Sequence, residues 1–264
     1  METQVETRLG GSLPVPCVQE LAKEPLITVP PRYICADQEP PHAANTTLLP
    51  QIPIIDMQRL LSGDAMDYEL DKFHYACKEW GFFQVINHEV STSLIEKVKH
   101  EIQEFFKLSI EEKQKYWQQP GDLEGFGQAF VVSDEQKLDW GDLFYIVMLP
   151  VHMRKTSLFS SLPESFSMAY RWDSQEEDVL PRTIMVTNGA YRSIEHRATI
   201  NPVKERLSIA TFYSPKLDVE MGPAPSLINP QNPALFKRII TGDFFKGFFA
   251  RELRGKSYLD AMRI

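Results

Sequence analysis

Three residues combine type and spacing in a way that suggests chemistry: His196, Arg206 and Ser208. They lie in residues 187–213, TNGAYRSIEHRATINPVKERLSIATFY, which read as two strands joined by a turn. Side chains of a strand alternate between faces. Arg192, Ile194, His196, Ala198 and Ile200 therefore share one face of the first strand. In the second, Arg206, Ser208, Ala210 and Phe212 oppose Leu207, Ile209, Thr211 and Tyr213. Asn201-Pro202 supplies the turn. An odd-numbered hairpin loop puts His196 on the side of Arg206 and Ser208; an even one puts it opposite. Taken singly, His196 reads as a core histidine and Arg206-x-Ser208 as an ordinary alternation. Taken together they suit a dicarboxylate. The Arg fork and the Ser hydroxyl would hold one carboxylate, and a metal on the histidine would meet the other end.

The remaining chain must position these residues. Its 264 residues suffice for one large domain or two small ones. A net charge of -8 and a pI near 5.3 argue against nucleic-acid or anionic-membrane partners. Cys17, Cys35 and Cys77 form no paired framework, which favours free thiols in a reducing compartment. No secretory leader and no apolar run of membrane-spanning length is evident. The expectation is a soluble, cytoplasmic, monomeric protein acting on a small molecule.

Residues 1–50 are proline-rich and read as an extended strap, with a short helix starting at Val18. Residues 51–56 and 82–86 read as strands, the second buried. Between them Leu70, Phe73, Cys77 and Trp80 recur at helical spacing, ending at Gly81. Trp80, Phe82 and Phe83 read as core. Ser91 caps a helix carrying Leu94, Val98, Ile102 and Phe105, and Ser109 with Glu112 opens a third at 110–116. Residues 121–127 read as a loop, and 130–132 and 142–149 as strands around an Asp139-Trp140 corner. The stripe Phe244, Phe245, Phe248, Phe249 and Leu253 predicts a C-terminal helix. Residues 171–182, RWDSQEEDVLPR, are acidic and aperiodic, and interrupt this pattern.

The segments VPPRYI, IPIIDM, ACKEWGFFQVINH, FFKLSIEEKQKY, EGFGQAFVVSDEQKLDWGDLF, TNGAYRSIEHRAT, ERLSIATFYSP and GKSYLDAMRI resemble the plant Fe(II)/2-oxoglutarate-dependent dioxygenases. The resemblance is to the group holding the senescence-related proteins and alkaloid O-demethylases of plant specialised metabolism. It implies an α+β fold, mainly β, with a partial jelly-roll core between a helical N-terminal region and C-terminal helices. It implies Fe(II) as cofactor and 2-oxoglutarate as cosubstrate, for an oxidoreductase that hydroxylates, demethylates or desaturates a small organic metabolite. His196 would be the second iron histidine, and Arg206 and Ser208 would hold the distal carboxylate of 2-oxoglutarate. The implied organisation is a strap at 1–50, the dioxygenase N-terminal region at 51–165, an atypical junction at 166–185, and the C-terminal part of the dioxygenase domain at 186–264.

One departure from that family stands out. Its other two iron ligands form a His-x-Asp motif. None of His42, His74, His88, His100, His152 and His196 is followed two residues later by Asp or Glu. The family's asparagine-tyrosine-proline segment is also missing. The junction replaces a block of about a hundred residues, the size of a small domain. His152, Asp173, Glu176, Glu177 and Asp178 are the substitute ligands at hand, and the carboxylates read better as a solvated loop. The expectation is an inactive or impaired chain with no assignable catalytic residue. A non-catalytic remnant that binds a partner or small molecule is the alternative.

Overall fold

The computed structural model describes residues 11–23, 25–34, 51–63, 66–119, 122, 124–128, 131–148, 154–161, 183–191, 193–194, 200–201, 203–251 and 257–264. His196, Arg192 and the acidic stretch 171–182 lie outside them.

Helix α1 (Val18–Leu21) begins where the sequence placed it, and its cap comes from far away. Asp142 accepts from the backbone N–H of Val18 at 2.8 Å and of Gln19 at 2.9 Å. Both are first-turn donors with no intrahelical acceptor. Strand β1 (Ile54–Asp56) runs directly into α2 (Met57–Leu61), whose cap Asp56 accepts from Arg59 N–H. Helix α3 (Met66–Tyr75) continues as a π-helical turn over Ala76–Trp80. Gly81, at φ 73°, closes it by donating to Ala76 C=O at 2.8 Å. Strand β2 (Gln84–Ile86) then pairs with β1 in parallel, Ile55 opposite Val85.

Strand β2 is exposed along its length, contrary to the buried strand expected at 82–86. Among the described residues β1 is its only ladder partner. Phe82 is exposed, and Trp80 and Phe83 are half-buried rather than core.

Helix α4 (Thr92–Lys107) is capped by Ser91, and α5 (Ile110–Lys113) by Ser109, whose Oγ accepts from Glu112 N–H. A 3-10 turn follows at Gln114–Tyr116. Strand β3 (Gly125–Gly127) falls where a loop was expected, and pairs antiparallel with β4 (Leu143–Tyr145). The glycines conceal it: Gly125 sits at φ 124°, and a Cβ there would stand 2.5 Å from Tyr116 C=O. Only a glycine admits that approach. No ladder forms at 131–132; instead Leu13 N–H donates to Val131 C=O, and Val131 N–H donates to Ser12 Oγ. The Asp139-Trp140 corner is held by Gln128, which donates to Asp139 and Gly141 carbonyls, and by Tyr33 edge-on to Trp140.

Two short helices follow, α6 (Thr156–Ser161) and α7 (Thr183–Val186). Strands β5 (Glu220–Met221) and β6 (Ile239–Ile240) pair antiparallel before α8 (Thr241–Phe249) and α9 (Ser257–Asp260). Two apolar cores result. The first joins Cys17, Ile102, Phe105, Tyr116 and Phe126, with Leu207 packed against it. The second joins Met185, Met221, Phe236, Phe244 and Tyr258.

Candidate cosubstrate site

The expected strand pair is not a ladder among the described residues. Residues 187–190 form a turn that ends α7, and 205–216 run extended with no strand partner. β-propensity becomes a strand only where a neighbour accepts its hydrogen bonds. The turn at Asn201 does form: its Oδ1 accepts from the N–H of Val203 at 2.8 Å and of Lys204 at 3.0 Å.

Alternation holds only over 206–208; Ile209, Thr211 and Tyr213, expected on the face of Leu207, are exposed. Leu207 turns into the first core, while Arg206 and Ser208 face solvent together. Arg206 Nη2 donates to Ser208 Oγ at 2.7 Å. A hydroxyl that accepts from arginine keeps its own hydrogen to donate. The pair therefore offers a carboxylate the other guanidinium N–H groups and the serine O–H, a charge-assisted multidentate grip. Asn188, at φ 52°, anchors the start of the region. It donates to Pro233 C=O at 3.0 Å and accepts from Leu235 N–H at 2.8 Å.

The donors of Arg206 and Ser208 thus suit one carboxylate of a 2-oxoglutarate molecule. Among the described residues no group of three or more His, Cys, Asp or Glu could hold a metal ion. The sequence itself has no His-x-Asp. The second chemical feature near the segment was not legible beforehand. Gln19 donates to Glu205 at 3.0 Å and accepts from Lys113 at 2.6 Å. Contacts between residues so far apart in sequence leave no local pattern. Close by, burial and the Asp142 hydrogen bond push the Cys17 thiol up to about 11.

Comparison with known proteins identifies the class. A family model described as non-haem dioxygenase in morphine synthesis, N-terminal, matches residues 52–165. Protein SRG1 of Arabidopsis thaliana is 39% identical over 349 residues, covering 96% of this chain and 98% of that protein. Codeine O-demethylase of Papaver somniferum is 37% identical over 362 residues, covering 100% of each. A crystal structure of JOX2 in complex with 2OG, Fe and JA superposes with a TM-score of 0.77 at 22% identity, covering 96% of this chain and 98% of that one. The chain belongs to the plant 2-oxoglutarate/Fe(II)-dependent dioxygenases. Its fold is the α+β, jelly-roll type of that JOX2 structure. Among the described residues no helix is long and apolar enough to cross a membrane.

Proposed function

We propose that this chain is an internally shortened dioxygenase that keeps the carboxylate grip of Arg206 and Ser208 and one iron ligand, His196. It lacks the other two ligands, and turns over 2-oxoglutarate little or not at all. The observation that carries this reading is a mismatch of lengths. The alignments to SRG1 and codeine O-demethylase run over 349 and 362 residues, yet the chain has only 264. Nearly all of each relative is spanned, so the relatives carry a block of about a hundred residues, small-domain size, that this chain does not. The family model ends at residue 165, where the atypical 166–185 junction starts.

Intact relatives would use Fe(II) and 2-oxoglutarate to oxidise a small organic metabolite by hydroxylation, demethylation or desaturation. A facial triad holds iron through three protein ligands and leaves positions open for cosubstrate and oxygen. Losing even an outer-shell partner costs about 10–100-fold in metal affinity or activity. Here two of the three ligands themselves are missing. The four-part organisation, 1–50, 51–165, 166–185 and 186–264, belongs to the same proposal.

The test is oxygen-dependent succinate formation from 2-oxoglutarate by purified protein supplied with Fe(II). The expected rate is that of the protein-free control. Robust turnover that His196→Ala abolishes would contradict the proposal.

A further inference from the structure

Lys113 is only 2% exposed, although it carries an ammonium group. Among the described residues no carboxylate pairs with it. Its Nζ donates to Gln19 Oε1 at 2.6 Å and stands 5.6 Å from the centroid of the Phe126 ring. Gln19 passes the interaction on, donating from Nε2 to Glu205 Oε1 at 3.0 Å. Only one orientation of that amide works. An ammonium cannot accept and a carboxylate cannot donate, so the carbonyl must face Lys113 and the NH2 must face Glu205. The Gln19 backbone is itself fixed by Asp142. Glu205 directly precedes Arg206, and two residues on Leu207 enters the first core. The segment carrying the carboxylate grip is thus held at two points two residues apart, a polar contact at the exposed Glu205 and an apolar one at Leu207.

We propose that Gln19, Lys113 and Glu205 are positioning residues that fix Arg206 and Ser208 at one orientation for a small dicarboxylate. The proposal rests on the reading of that pair as the cosubstrate grip. The relay ties three separated pieces of chain: α1, the end of α5 and the extended segment. It sets which residues of that segment face outward. Without it, a one-residue slip would carry Arg206 toward the core and Leu207 outward. The relay holds the grip ready without a metal.

Two measurements on the full chain test this. The first is tryptic cleavage of the Arg206–Leu207 bond, which needs Leu207 to leave its pocket. Gln19→Ala, Glu205→Ala and Lys113→Met should each speed it about five- to tenfold, the effect of one ordinary hydrogen bond. Glu205→Gln, whose side-chain carbonyl still accepts from Gln19, should stay within about twofold of the parent. Unchanged cleavage in Gln19→Ala would overturn the clamp. The second is metal-free 2-oxoglutarate binding by saturation-transfer NMR. Gln19→Ala should weaken it by the same factor, Glu205→Gln should retain it, and Arg206→Ala should abolish it. Loss in Arg206→Ala with full binding in Gln19→Ala would refute the positioning role alone. Binding absent from the parent, or unaffected by Arg206→Ala, would overturn the grip reading itself, and the cleavage rates would still decide whether the clamp exists.

Discussion

Glu89 sits at φ 61°, a left-handed conformation that costs a residue with a Cβ about 1–2 kcal/mol. Asn87, at φ 52°, tolerates the same region better because its short side chain bonds locally. Glycine adopts this backbone shape without that cost. Glu89→Gly should therefore raise stability by about 1 kcal/mol, read as a higher midpoint in thermal denaturation. Cys17 makes a second prediction at this scale. Its thiol is pushed up to about 11 from 9.0, by burial first and the Asp142 hydrogen bond second. A group that holds its proton more tightly when folded stabilises the fold below its unfolded pKa, and that contribution is lost as pH rises. Stability should fall between pH 9 and about 11, and Cys17→Ala should flatten that part of the profile. Glu69 works in the opposite direction. Its carboxyl is held below the usual range, first by the Asp56 N–H it accepts at 2.8 Å and then by Lys72. That contribution is present above the unfolded pKa and lost on acidification. Glu69→Ala, which leaves the Asp56 N–H without its acceptor, should cost about 1–3 kcal/mol by urea denaturation.

At the scale of elements, the helices were legible and the strands largely were not. Ser91, Leu94, Val98, Ile102 and Phe105 specify α4 through a cap and a periodicity contained within sixteen residues. Ser109 specifies α5 in the same local way. The 206–213 segment has equally clear alternation in sequence, yet no ladder forms on it among the described residues. A strand is a property of two segments, and one segment cannot show whether its partner is present. The same limit hid β3, whose glycines read locally as a loop. Within the candidate site, the shared face of Arg206 and Ser208 followed from alternation alone. The Gln19 relay did not, because it joins residues with no common local pattern. The unpartnered segment has a cost: Val203 is 85% exposed and Phe212 82%. An apolar, unpaired, β-prone edge is a template for association. The chain should bind ANS and scatter light increasingly with concentration, and Phe212→Lys should reduce both while leaving the thermal midpoint in place.

Among the described residues the molecule has two apolar cores. One is built on α4 and β3, the other on α8 and α9. Leu207 packs the C-terminal extended segment against the N-terminal core, which supports Arg206 and Ser208 on either side of it. Likeness to the family runs across nearly the full length. The central claim is that one histidine without its His-x-Asp partners does not make an iron site. Anaerobic titration of the purified chain with Co(II), a spectroscopic stand-in for Fe(II), tests it most directly. No saturable one-to-one site is expected, and His196→Ala should give the same trace. Stoichiometric binding that His196→Ala abolishes would contradict it.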